Sequence, residues 1–184
     1  MKKIKLTQDQ WALVDDEDYD HLNEHKWYAN RERTDKFYAK RSSPIDSSGK
    51  QRKIRMHRVI INAPKGIPVD HINGNPLDNR KENLRVCTHQ ENCRNRGKPK
   101  NNKSGYKGVS YMKKSKDMIN EHSKPWKTQI TFNGNPITIG MYKTKEEAAR
   151  AYDQKAIELF GEFAQLNFPE EWEHVLCSKK VAGA

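Results

Sequence analysis

The sequence predicts an α+β chain of two small modules. A strand, loop, strand and helix form the first, and an extended basic linker joins it to a three-stranded antiparallel sheet plus one helix. Three observations lead there. Short apolar runs alternate with polar clusters over the first sixty or so residues; VDHINGNPLDNRKENLRVCTHQEN, from Val69, crowds turn-forming asparagines between two strand-like runs; and the second half carries three strand-like segments ahead of one long amphipathic helix. A chain of 184 residues suits one ordinary domain or two small ones.

Composition narrows the function classes. Hydrophobic residues make up 34% and charged residues 32%, against about 45–50% apolar in an average globular chain, so much of the sequence stays at a wet surface and an enzyme built around a deep apolar pocket is excluded. The 35 Lys and Arg outnumber the 24 Asp and Glu for a net charge of +11, which favours a polyanionic partner: nucleic acid first, an anionic membrane surface second. No stretch approaches the roughly 18 apolar residues of a spanning helix, and MKKIKLTQDQW has no apolar signal core, so no membrane role and a cytoplasmic location are expected. Cys87, Cys93 and Cys177 form no CxxC pair, which points to neither a disulfide framework nor a cysteine-rich zinc knuckle.

Taken in order, WALV, KWYAN and FYAKR read as short strands, with DSSGKQ a turn; MHRVIINA is strand or helix, since periodicity does not settle so short a run. The acidic cluster from Asp15 to Asp20 lacks the Gly and terminal Glu of a calcium loop and reads as a solvated helix start, where acids meet the positive end of the helix dipole. In the amide-rich stretch, VDH is a strand end, INGNPLDN a run of turns, NLRV a second strand, and THQENCRN a helix opened by Thr88 with Glu91 three residues on.

From Asn92 through Lys116 there is no acidic residue, while Arg94, Arg96, Lys98, Lys100, Lys103, Lys107, Lys113, Lys114 and Lys116 are all positive. RNRGKPKNNKSG within it has linker composition. Extended, it would reach roughly 35–40 Å, about one turn of duplex DNA, and its basic charge seeks phosphate. Beyond Gly105, GYKGVSYMKK, KPWKTQITFN and NPITIGMYK read as three strands, the last two joined by an FNGNP hairpin turn. TKEEAARAYDQKAIELFG follows as a helix with a Thr144–Glu147 capping box, a stripe of Ala149, Tyr152, Ala156 and Leu159, and a stop at Gly161.

The amide-rich stretch also reads as a metal site. Its helix returns Asn92 over the first strand, where Asp70 and His71 sit. A carboxylate oxygen and an amide oxygen are hard ligands, suited to Mg²⁺ or a similar ion that keeps waters and a phosphate oxygen. His71 is then available as a general base near neutral pH, and base plus cation is what phosphodiester cleavage requires. Adjacent strand residues point to opposite faces, so Asp70 and His71 converge only where the strand gives way to the turn at Asn73, Gly74 and Asn75. Asn75, Asn79 and Asn83 are expected to bond loop backbone groups that have no ladder partner.

DH followed by NGNPLDNRKENLR and THQEN resembles the HNH nuclease family, specifically phage and intron-encoded homing endonucleases with Asn in the third position; the close match runs from about Met56 to Arg96. The resemblance implies a ββα-metal module with His71 as general base, Asn83 as the loop-bracing middle residue, and Asp70 and Asn92 as ligands of Mg²⁺ or Mn²⁺. His89, Arg85 and His57 take second rank, His89 as a phosphate contact.

GYKGVSY, WKTQITFNGNPITIGMYKTKEEAARAYDQKAIELFG and LNFP resemble the ethylene-response-factor (Apetala-type) DNA-binding domain, over roughly Ser104 to Pro169. The resemblance implies a sheet in the major groove with a helix behind it, and Lys107, Ser110, Met112, Trp126, Gln129, Thr131 and Thr138 toward DNA. Trp126 reads equally as packing. Ser110, Met112 and Thr138 stand where that family has Arg or Trp, so its target sequence does not carry over.

The expected organisation is a β-rich DNA-contacting region (1–55), a nuclease core (56–96), a basic linker (97–104), a sheet-type DNA reader (105–169) and a tail (170–184). The expected function is metal-dependent endonucleolytic cleavage of double-stranded DNA, as a site-specific nicking homing endonuclease. The alternatives are a DNA-binding regulator whose nuclease motif is inactive and an RNA-directed nuclease; monomer and dimer both stay open.

Overall fold

A computed structural model describes residues 1–32, 36–99, 101–113, 124–172 and 174–175. The chain divides into two compact units, Met1–Asn92 and Cys93–Ala184. Lys100, Lys114, Lys116, Cys177, most of the insert before Trp126 and most of the tail lie outside the described residues.

In the first unit, β1 (Lys2–Lys5) and β2 (Trp11–Val14) form a hairpin, followed by α1 (Asp16–Asn23). Next come β3 (Tyr28–Arg31), β4 (Phe37–Ser42) and β5 (Lys53–Arg55), an antiparallel sheet in chain order. The helix α2 (Met56–Ile60) resolves the ambiguous MHRVIINA run. As the acid-rich cluster leads one to expect, α1 opens with Asp16, Glu17 and Asp18 in its first turn. Period-two alternation sends Ile4, Ala12, Val14, Ala29 and Ala39 into one core with Leu22, Trp27 and Met56. Each fully buried aliphatic chain there contributes about 1.5–3 kcal/mol.

The amide-rich stretch belongs to this same unit. A hairpin of β6 (Val69–His71) and β7 (Leu84–Val86) pairs Val69 with Val86, Asp70 with Arg85 and His71 with Leu84. Its loop docks on β2: the Leu13 N–H donates to the Leu77 carbonyl at 2.8 Å, the Asn79 N–H to the Leu13 carbonyl at 2.8 Å, and a parallel bridge links Leu13 to Asp78. Residues 1–55 and the motif therefore share one body. The helix α3 (His89–Arg94) then begins at a capping box in which the Thr88 N–H donates to Glu91 Oε2 and the Glu91 N–H to Thr88 Oγ1.

In the second unit, β8 (Val109–Tyr111), β9 (Trp126–Phe132) and β10 (Asn135–Tyr142) form an antiparallel sheet with β9 central. Asn133 and Gly134, both at positive φ, make the two-residue hairpin turn of the FNGNP run. The helix α4 (Lys145–Phe160) carries the expected Thr144–Glu147 capping box and ends at Gly161. Its buried stripe of Ala149, Tyr152, Ala156 and Phe160 packs on the sheet; Leu159 is only partly buried. Gly108, at φ +76°, is obligatory, because a Cβ there would lie 2.0 Å from Tyr152 Cδ2.

Candidate functional site

The loop between β6 and β7 is held by its own amides. Asn83 Oδ1 accepts from the Asn73 N–H at 2.9 Å while Asn83 Nδ2 donates to the Asp78 carbonyl at 2.8 Å. Asn73 Oδ1 accepts from the Asn75 N–H, and Asn75 Oδ1 from the Leu77 N–H. Asp78, only 2% exposed, receives Asn73 Nδ2 at 2.9 Å and the Arg80 guanidinium at 2.7–2.8 Å. Those Arg80 bonds are the first cause of its depressed pKa. The asparagines thus supply partners to turn backbone that has no ladder, and the bracing expected of Asn83 is what its side chain does.

His71 is 6% exposed. Its ring stacks edge-on against His57, centroids 4.9 Å apart, and both rings meet Tyr38 at 6.2 Å. His71 Nε2 lies 3.3 Å from Asn79 Oδ1. Burial lowers the pKa of both histidines, that of His57 to about 3; for His71 the Asn79 bond, Asp70 and Asp78 work in the opposite direction. Both rings are neutral at pH 7, the state a proton acceptor needs. Tyr38 and Asn79 escaped the sequence reading as neighbours of His71; the DN pair at Asp78–Asn79, buried at 2% and 1%, was the available signal.

Asp70 faces Arg85 across the ladder, with Arg85 Nη2 at 2.9 Å and Nε at 3.2 Å from Oδ2. Both Asp70 and His71 sit in regular ladder positions. Asn92 is half-buried on α3, its N–H donating to the Thr88 carbonyl at 3.0 Å. The Cys87 thiol is pushed up by burial first and by the Asp70 charge second. His89 is exposed at the start of the same helix. Among the described residues no group of three or more His, Cys, Asp or Glu forms a metal cluster. By donor type, a carboxylate such as Asp70 and an amide such as Asn92 could hold a hard ion that keeps most of its waters.

In the second unit, Thr128 and Ile130 point to α4, whereas Gln129 and Thr131 take the opposite face with Thr138, which pairs with Gln129. Ser110 and Met112 are exposed. Trp126 packs against the cluster of Val109, Ala148 and Ala149 and meets Tyr111 edge-on at 5.1 Å. Lys107 departs from the outward orientation expected of it. Its ammonium donates to the Arg94 carbonyl at 2.7 Å, and desolvation lowers its pKa to about 8.

Arg94 likewise lies over the rings of Phe160, at 4.9 Å, and Phe132, at 5.8 Å. The basic stretch after it is folded rather than extended. The Asn102 N–H bonds the Pro99 carbonyl, Asn102 Nδ2 the Tyr106 carbonyl, and Lys98 Nζ the Gly105 carbonyl, because these side chains satisfy turn backbone. Arg96, Lys103 and Lys113 remain exposed. A network that sequence reasoning missed closes the unit: fully buried Asp153 accepts from the N–H groups of Asn167 and Phe168 and from Asn167 Nδ2, and Asn167 Oδ1 accepts from the Lys107 N–H.

A strand–loop–strand hairpin that presents Asp-His, an asparagine-braced loop and a following helix with Asn92 define a nuclease of the HNH class. The HNH endonuclease family model matches residues 55–94. The chain is 32% identical to a protein of Acanthamoeba polyphaga mimivirus named as an uncharacterized HNH endonuclease, over 86% of its own length and 71% of the relative's. It is 36% identical to Protein 3.8 of Escherichia phage T7 over 55% of this chain and 77% of that one. An ethylene-responsive transcription factor of Arabidopsis thaliana is 41% identical over 35% of this chain and 32% of its own. No solved structure matches. The chain belongs to the HNH endonuclease family, and it is an endonuclease. No helix among the described residues is long and apolar enough to cross a membrane.

Proposed function

We propose that the protein is a metal-dependent endonuclease that cleaves double-stranded DNA, nicking one strand per site in the manner of a homing endonuclease. The observation that carries the reading is the buried His71 ring beside Asp70 on one strand, under a loop locked by Asn83.

His71 takes the proton of the attacking water, and the low-dielectric surroundings that hold it neutral keep it competent to do so. Asp70 and Asn92 would hold Mg²⁺ or Mn²⁺, and such an ion would supply charge to offset that on the scissile phosphate and departing oxygen. Arg96, Lys103 and Lys113, with Lys98 and Lys100 of the same basic stretch, add phosphate contacts, and the β9–β10 face bearing Gln129, Thr131 and Thr138 reads the duplex; most of this affinity is independent of base sequence. One constellation per chain cuts one strand unless two copies combine.

The grip of Arg85 on Asp70 favours a second reading, in which the guanidinium holds the carboxylate that an ion would need and the protein acts as a DNA-binding regulator. Relaxation of supercoiled plasmid separates the two. Nicking with Mg²⁺ that is lost in EDTA and in His71→Ala supports the nuclease; tight binding without relaxation in any divalent ion supports the regulator. Competition with structured RNA tests the nucleic-acid class.

A further inference from the structure

We infer that Asn79 is a positioning residue that sets the tautomer and orientation of His71, and that the β1–β2 hairpin, outside the stretch matched by the family model, holds Asn79 in place. The inference rests on the reading of His71 as the base and concerns how that base is prepared.

The orientation of the Asn79 amide follows from its partners. Nδ2 donates to the Leu77 carbonyl at 3.2 Å, so Oδ1 is the atom turned to the imidazole. An amide oxygen only accepts, and the nitrogen 3.3 Å from it therefore carries the proton: His71 donates from Nε2. In the neutral ring the lone pair then resides on Nδ1, which becomes the atom that receives the proton of water. With Asn79 itself 1% exposed, the bond does not exchange freely with solvent.

Three further observations fix the amide. The Asn79 N–H donates to the Leu13 carbonyl and the Leu13 N–H to the Leu77 carbonyl, each at 2.8 Å, so the residue is strapped to β2 from both sides of the amide's own anchor. The edge-on faces of His57 and Tyr38 limit tilting of the imidazole. Lys81 N–H, two residues on, donates to Asp15 Oδ2 at 2.8 Å, just after β2.

The test is nitrogen NMR of the full chain with ¹⁵N-labelled histidine, read at about pH 8.5, above the ordinary imidazole range. The wild-type spectrum shows a pyrrole-type Nε2 and a pyridine-type Nδ1 for His71, assigned by its loss in His71→Ala. Asn79→Ala moves both toward the averaged shifts of an unrestrained ring and lowers kcat on the order of tenfold to hundredfold with KM nearly unchanged. Asn79→Asp keeps an acceptor toward Nε2 but gives up the donor to the Leu77 carbonyl, so it falls between the wild type and Asn79→Ala, with the proton still favoured on Nε2. A wild-type spectrum with the proton on Nδ1, or an Asn79→Ala protein that keeps both pattern and kcat, overturns the inference. Persistence of cleavage in His71→Ala would instead defeat the assignment of the base, leaving the spectrum to report on Asn79 by itself.

Discussion

Asp70 and Arg85 stand opposite each other in the β6–β7 ladder, and both nitrogens of the guanidinium that reach across close on the same carboxylate oxygen, at 2.9 and 3.2 Å. The pair is nearly sealed, with side chains 9% and 11% exposed. Removing one partner of such a pair leaves a buried charge without compensation. Arg85→Ala is expected to lower stability by about 3 kcal/mol in EDTA, measured by urea unfolding. Mn²⁺ should recover part of that loss in the variant and none of it in an Arg85→Ala, Asp70→Ala double variant.

Acid should weaken the first unit through its histidines. The folded His57 ring resists protonation down to about pH 3, whereas in the unfolded chain it titrates near 6.5. Between those limits the unfolded chain binds the extra proton, so this contribution is whole above 6.5 and is lost as pH falls, at up to about 1.4 kcal/mol per pH unit. The depressed pKa of His71 acts with the same sign. Urea midpoints should therefore drop between about pH 7 and about pH 5, and His57→Phe, which keeps an aromatic ring but removes the titrating nitrogens, should flatten that slope.

Gly108→Ala should be among the most damaging single substitutions in the second unit. Its Cβ would stand 2.0 Å from Tyr152 Cδ2 and 2.8 Å from the Gln129 carbonyl, on backbone at φ +76°. A cost of about 3 kcal/mol is expected from strain and overpacking together. Thermal unfolding checks it, and Gly105→Ala, also at positive φ but with open space around it, should cost less.

Salt dependence distinguishes lysines that meet phosphate from those that do not. Because the Lys107 ammonium is engaged with the Arg94 carbonyl and desolvated, Lys107→Met should leave the slope of log K against log salt unchanged. Exposed Lys103 should, on replacement by Met, reduce that slope by about 0.9. Fluorescence anisotropy with a duplex at several salt concentrations measures both.

What the residues revealed in advance was what is local. The Thr144–Glu147 and Thr88–Glu91 capping boxes and the NGN hairpin turn each depend on neighbours within a few positions. The use of Asn75, Asn79 and Asn83 as loop braces follows from the same short reach. The partners of His71 do not. Tyr38 comes from a strand 33 positions earlier, and Asn79 is placed by a ladder to Leu13 that spans more than sixty residues. Lys107 sits in a basic run, and only the fold brings the Arg94 carbonyl within reach of its ammonium.

The strapping of the Leu77–Asn79 segment to Leu13 bears on which piece of the chain stays whole when it is cut. A recombination that moved residues 55–94 alone would transplant the histidine without the scaffolding that aims it. A transplantable fragment must carry the opening strands along and run past Arg94, so that α3 is not severed.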